Sequence, residues 1–226
     1  DNLTLRIRRG EIENGDKLPG EVDLAQTYDV SRTTIRQALA TLQQAGLIET
    51  WTGSGSYVRY DGAILDDTSG WTKALAGLGV ETQARVLRLE RMVDAALAKE
   101  LGLSNASFLA VDRVRSIVGG EAISIERSRL PWRKSFAAVV RDGLIGGSLQ
   151  RTIESFAIRP RGGWETVGLM HLSVADASLL ARAEGDAFLA TRRIVHDTSG
   201  DLIECVDSLL HPGHFKLQFK FGEGAK

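Results

Sequence analysis

A single cysteine, Cys205, stands among 226 residues, and one thiol cannot build an intrachain disulfide framework. No apolar run approaches the roughly 20 residues that a helix needs to cross a bilayer, and the first residues lack the charged, apolar and small-residue order of a signal peptide. These absences point to a reducing cytoplasm and no membrane partner. An excess of one charge is also missing: 28 Lys and Arg meet 29 Asp and Glu, for a net charge of −1, so total charge does not argue for nucleic acid. Histidine is scarce. His211 and His214 flank Pro212-Gly213 in a turn without ligand spacing, so no metal site is expected. Cys205 reads as a small buried strand residue, no nucleophile has a paired base, and nothing asks for a cofactor.

What is present organises itself around Val30 to Leu42. Ser31 is a good N-cap, and Ile35, Leu39 and Leu42 recur at helical spacing, so one face of this helix turns inward. The free face carries Arg32, Thr33 and Arg36 in its first turns, where side chains and unpaired N–H groups can meet phosphates and base edges. Glu21 to Tyr28 reads as a short amphipathic helix and Asp29 as the turn, which together make a helix-turn-helix. After Ala45-Gly46, Leu47 to Trp51 reads as a strand, Thr52 to Gly55 as a turn and Ser56 to Arg59 as a returning strand: a two-stranded wing. Between Val30 and Arg59 the bases Arg32, Arg36 and Arg59 face only Glu49, and local charge is what a groove senses. A first helix is expected over Leu3 to Ile12, with Leu3, Ile7 and Ile12 facing inward.

With 43% hydrophobic residues, a chain of this length can bury a core in each of two domains. Tyr60 to Ser69 loses periodicity and gathers turn formers and acids, so residues 61–70 are expected to be a linker between domains 1–60 and 71–226. Trp71 to Leu78 reads as a short helix. Beyond it lies an internal repeat. Phe108-Leu109-Ala110 recurs as Phe188-Leu189-Ala190, Arg113 as Arg193, Gly120 as Gly200, Ile123 as Ile203, Ser128 as Ser208 and Leu130 as Leu210. Each copy follows an alanine- and leucine-rich helix, Asp94 to Leu101 or Ala175 to Ala183, the second with a Ser173–Asp176 capping box. Helix, strand, Gly-containing turn and strand, twice over, predict one antiparallel sheet with approximate twofold symmetry and helices on one face.

Strand alternation puts Leu109, Val111, Arg113 and Arg115 on one face. Two arginines among apolar neighbours are costly to bury without anions. Either a bound anion offsets that cost through bidentate hydrogen bonds, or Glu126 or Asp112 pairs with them across the hairpin. Ser148 precedes a short helix, Leu149 to Ser155. Trp164, Trp132 and Phe156 are candidates for a pocket lining or for the core.

Leu18-Pro19-Gly20-Glu21, the run Val30 to Leu39, Gly46-Leu47-Ile48 and Gly53 to Val58 resemble, in order and spacing, the winged-helix DNA-binding domain of GntR-family transcription regulators. Asp112 to Arg115, Glu121 to Pro131, Gly147-Ser148-Leu149, Phe156 to Pro160 and Gly200 to Glu204 resemble the UTRA effector domain of the HutC subfamily, whose fold is similar to chorismate lyase. The resemblance implies an α+β chain, a winged helix-turn-helix joined to an antiparallel sheet with flanking helices. It implies a homodimeric, ligand-responsive regulator, a repressor released from its operator by an anionic metabolite, not an enzyme. The alternative is a chorismate lyase-like enzyme acting on an aromatic carboxylate. Glu21, Ser31, Arg32, Thr33, Thr34, Arg36, Gln37, Gly53, Ser54 and Gly55 are the implied DNA-binding residues. Arg113, Arg115, Glu126, Ser148, Gln150 and Glu204 are those implied for the effector. Family members that bind phosphorylated sugars often have Tyr where this chain has Gln150.

Overall fold

The computed structural model describes residues 2–51, 53–60, 63–65 and 81–217. They belong to two compact units, Asp1–Thr82 together with Pro212–Lys226, and Gln83–His211. The expected linker, apart from 63–65, and the expected helix from Trp71 to Leu78 lie outside the described residues.

In the first unit α1 (Asn2–Arg8), α2 (Glu21–Tyr28) and α3 (Arg32–Gln44) precede the hairpin β1 (Ile48–Trp51) and β2 (Gly55–Val58). Asp29 ends α2 in the left-handed region at φ 50°, a conformation Asp tolerates because its short side chain can bond locally. The chain then turns at once into α3, where the Ser31 hydroxyl accepts from the Thr34 N–H. α1 ends at Arg8, short of the expected Ile12, because the chain turns through Gly10 at φ 75°. Ile12 still packs on the core of Ile7, Leu18, Leu42, Leu47, Ile48, Val58 and Tyr60. A second cluster of Leu24, Ala25 and Ile35 locks α2 to α3. Part of the stretch expected as linker is a short strand, β3 (Ala63–Leu65), which runs parallel to β10 (Phe215–Leu217).

The second unit is a six-stranded sheet built from β4 (Thr82–Val93), β5 (Ser107–Ile117), β6 (Ala122–Pro131), β7 (Gly162–His171), β8 (Ala187–His196) and β9 (Leu202–Leu210), in the order β4-β5-β6-β9-β8-β7. The repeat is longer than its identities suggest, since a strand precedes each helix: β4-α4-β5-β6, then β7-α7-β8-β9, with α4 at Ala95–Glu100 and α7 at Val174–Leu180. The two hairpins share one register. Leu109 pairs with Leu130 and Arg113 with Glu126; eighty positions on, Leu189 pairs with Leu210 and Arg193 with Val206. Arg127 and Asp207, themselves eighty apart, sit opposite each other where β6 meets β9, so the internal twofold passes between them.

Alternation then assigns the faces. Leu97 and Ala98 of α4 pack with Phe108, Ile194 and Cys205, and Ala177 and Leu180 of α7 with Val114, Ile125, Phe188 and Leu209. The two repeated helices therefore share one face. The other face takes α5 (Phe136–Asp142) and α6 (Leu149–Ser155), which belong to no repeat, through Leu109, Val111 and Leu130. Helices thus flank the sheet on both sides, where the repeat alone predicts one. At the β7 edge, Gly163 is the residue the pairing requires, because a Cβ there would stand 1.8 Å from the Ile194 carbonyl oxygen.

Candidate functional site

The first constellation is built on α3. Arg32, Thr33, Thr34, Arg36 and Gln37 are exposed while Ile35 is buried, which separates a presented face from a packed one. Ser31 spends its hydroxyl on the cap, hydrogen-bonding Thr34 at both its N–H and its hydroxyl. Glu21 does not stand free beside this face. Its carboxylate accepts from Arg36 Nε at 3.2 Å and Nη2 at 3.0 Å, and Arg32 Nη2 lies 3.7 Å away. The Arg36 hydrogen bond, with the two arginine charges behind it, holds the Glu21 carboxyl below the usual carboxylate range.

Gly53 and Gly55 turn the wing tip at φ 79° and 106°, which explains glycine at both places. Ser54 between them is tied back by its N–H to the Trp51 carbonyl and by its hydroxyl to the Tyr57 hydroxyl. Arg59 is compensated by Glu49 at 2.8 Å and lies over the Trp51 ring. The base that the sequence reading missed is Lys17, exposed beside the wing with its ammonium 5.9 Å from the centre of the Tyr57 ring. The bridge between Lys17 and Tyr57 and the backbone hydrogen bonds of Asp16 and Leu18 to Val58 and Ser56 place it there, and no local pattern in the sequence reveals that.

The second constellation lies on the sheet face that carries α5 and α6. Register aligns Arg113 on β5, Glu126 on β6, Ser208 on β9 and Thr191 on β8 in one row, all buried. Arg113 Nη2 donates to Glu126 Oε2 at 2.5 Å and Arg115 Nε to Oε1 at 3.4 Å, so one carboxylate holds both arginines. Burial pulls the Arg115 pKa down, against the support of Glu126. Asp112, the other expected partner, points to the opposite face, where it accepts from Arg129 at 2.6 Å. The buried Nε of Arg113 and the buried hydroxyl of Ser124 meet no hydrogen-bond partner among the described residues.

Glu204 joins this group. Burial pushes its carboxyl up, and Ser128 and the Arg113 guanidinium only partly restrain the rise. Ser148 caps α6 by accepting from the Arg151 N–H at 3.3 Å, and the next residue, Leu149, packs on the same sheet face as Arg113. Gln150 is exposed and donates to Glu154. Trp132 and Phe156 pack edge-on against Phe136 in the core, while Trp164 is exposed on β7. Ser124, Ser128, Thr191 and Ser208 are the polar residues that sequence reasoning missed. The first two were within reach, since they flank Glu126 at strand spacing.

The raised pKa of Glu204 fixes a sign. The folded state binds the proton more tightly than the unfolded chain, so stability falls as pH rises above the ordinary value of 4.5. Glu204→Gln is therefore expected to raise the melting temperature at pH 7 to 8. The gain should vanish near pH 4, where the unfolded carboxyl is also protonated. Equal melting temperatures across the whole range would show that the carboxyl is well solvated.

The gntR family of bacterial regulatory proteins matches residues 1–58, and the UTRA domain matches residues 77–216. The chain is 26% identical over 197 residues to a probable fructoselysine utilization operon transcriptional repressor of Shigella flexneri, covering 84% of this chain and 79% of that one. It is 36% identical over 92 residues to the mannosyl-D-glycerate transport/metabolism system repressor MngR of Escherichia coli K12, covering 40% of this chain but only 38% of the repressor's length. The fold is that of PhnF from Mycobacterium smegmatis, with a TM-score of 0.70, 23% identity and 96% of each chain covered. Winged helix and six-stranded sheet, matched in order along one polypeptide, place the chain in the GntR family of transcription regulators, in the HutC-type arrangement with a UTRA domain.

Proposed function

We propose that the chain is a repressor that grips a two-fold symmetric operator as a homodimer and is released by an anionic small metabolite. DNA contact falls to Arg32, Thr33, Thr34, Arg36 and Gln37 on α3, with Gly53, Ser54 and Gly55 at the wing. The metabolite is held among Arg113, Arg115, Glu126, Glu204 and Ser148, with Gln150 at the margin. The observation that carries the effector reading is the buried Nε of Arg113, a donor left over after Glu126 has been satisfied. A buried donor without an acceptor costs about 1–3 kcal/mol, which a carboxylate or phosphate oxygen would recover. The names of the two relatives support repression. The chorismate lyase-like alternative has nothing in its favour: the family and the relatives are regulators, and fold alone does not carry chemistry.

The edges of the sheet support the dimer. β7 exposes all ten residues, Trp164, Leu169 and Met170 among them, with Glu165 its one acidic or basic side chain apart from His171. β4 at the other edge exposes Arg85, Arg88, Glu90 and Arg91, the charges that keep edge strands from pairing. Only one edge is thus chemically suited to meet its own copy.

The DNA reading is tested on a duplex selected from a randomised library by the wild-type chain. Arg32→Ala and Arg36→Ala are each expected to weaken binding, the Arg36 variant with about 1–3 kcal/mol of base discrimination lost at a bidentate contact. Half-sites about one helical turn apart and a dimer by light scattering are expected alongside. Full affinity and specificity in either folded variant would move the docking face elsewhere, and a monomer unchanged by DNA would remove the dimer.

A further inference from the structure

We infer that Glu21 is a specificity-positioning residue: it grips the Arg36 guanidinium from the side so that its outer edge is presented, already oriented, to a guanine. This rests on the reading of α3 as the DNA-contacting helix and goes beyond it, because the family resemblance implies that Glu21 contacts DNA itself.

The geometry decides which guanidinium protons are taken. Arginine offers five N–H donors in a rigid planar fork. Arg36 uses Nε toward Glu21 Oε1 at 3.2 Å and Nη2 toward Oε2 at 3.0 Å, a side-on pair. That leaves one proton on Nη2 and the neighbouring proton on Nη1, parallel and directed outward along the far edge. Two parallel donors at that spacing match O6 and N7 of guanine in the major groove. A carboxylate gripping the far edge end-on would have consumed this pair of donors.

The surroundings make the grip a fixed one. Glu21 opens α2, and α2 is locked to α3 by Leu24 and Ala25 against Ile35. The carboxylate is the recessed member of the group: the Glu21 side chain is 31% exposed, against 68% for Arg36 and 62% for Arg32. A recessed anion beneath the protruding Arg36 orders it without presenting its own charge first to the phosphates. Arg32 at 3.7 Å is outside hydrogen-bond distance and keeps its freedom, which suits a phosphate contact, where a point charge suffices.

The test uses the full chain and the duplex selected from a randomised library by the wild type. Affinity is measured to that duplex, to versions with each guanine replaced in turn by 7-deazaguanine, and to a scrambled duplex. The wild type is expected to lose roughly tenfold at one guanine per half-site, and Arg36→Ala should erase that penalty. Glu21→Gln should shrink the penalty to under threefold while binding the scrambled duplex as well as or better than wild type, since an anion has gone. Glu21→Asp keeps the charge but falls short of the fork, so it should lose the same guanine discrimination; circular dichroism confirms that both variants fold. If Glu21→Gln tightens both duplexes by one factor and leaves the guanine penalty intact, Glu21 is a brake on DNA binding and the inference fails. If Arg36→Ala leaves every guanine penalty in place, the α3 reading itself falls, an outcome visible without any Glu21 variant.

Discussion

Glu126→Ala is expected to destabilise the effector unit by about 3–5 kcal/mol, the cost of leaving a buried charge without its partner. The Glu126 side chain is 6% exposed, and its carboxylate holds both Arg113, 9% exposed, and Arg115, 11% exposed. Truncation therefore takes the carboxylate away from two guanidinium groups in a site that burial already makes unfavourable for charge. The opposite manoeuvre should be mild. Arg113→Met and Arg115→Met combined with Glu126→Leu remove all three charges and keep the volume, and such replacements of buried pairs or triads are often neutral or stabilising. Urea unfolding of the two variants beside the wild type separates them. A cost below about 1 kcal/mol for Glu126→Ala would mean that water reaches the pair and that its burial carries little energy.

The contrast between the two units shows what a sequence displays and what it hides. The DNA-binding unit was legible because its signals are local. The Ser31 cap, the Ile35-Leu39-Leu42 stripe and the glycine-tipped wing are each confined to a dozen residues or fewer. The β5–β6 and β8–β9 hairpins were legible for the same reason. The edge strands β4 and β7 were not read. β7 is exposed on every residue and holds three glycines, so it carries no alternation to detect. β3 pairs with β10 from the far end of the chain, a contact that no local pattern encodes. The arginine constellation of the sheet was legible by face but not by partner. Alternation placed Arg113 with Arg115, yet only the register shows that Glu126 takes both and that Asp112 has turned to Arg129. The two readings left open for the arginines are therefore compatible: the ion pair exists, and it leaves the Arg113 Nε over.

The variant that removes all three charges also serves the larger question of coupling between ligand and DNA. An anionic metabolite, found by the rise in melting temperature it causes, should add about 2.7 kcal/mol of stability at a hundred times its dissociation constant. Its effect on the operator can be no larger than its difference in affinity between the DNA-competent and DNA-incompetent arrangements, typically about 1–3 kcal/mol, or 5- to 150-fold. Saturating operator DNA should weaken metabolite binding by that same factor, because linkage is reciprocal. Arg113→Ala alone is a poor probe, since it would leave Glu126 buried with only the longer contact to Arg115. The triple variant Arg113→Met, Arg115→Met and Glu126→Leu removes the proposed anion-binding guanidinium donors together with the carboxylate that holds them. It is expected to bind the selected operator as the wild type does and to lose the response to the metabolite at every concentration tested. If the triple variant still releases DNA at the wild-type metabolite concentration, the arginines are structural and the effector sits elsewhere on the sheet. If it loses DNA binding in the absence of metabolite while remaining folded, the triad itself holds the DNA-competent arrangement, and the metabolite acts by breaking it.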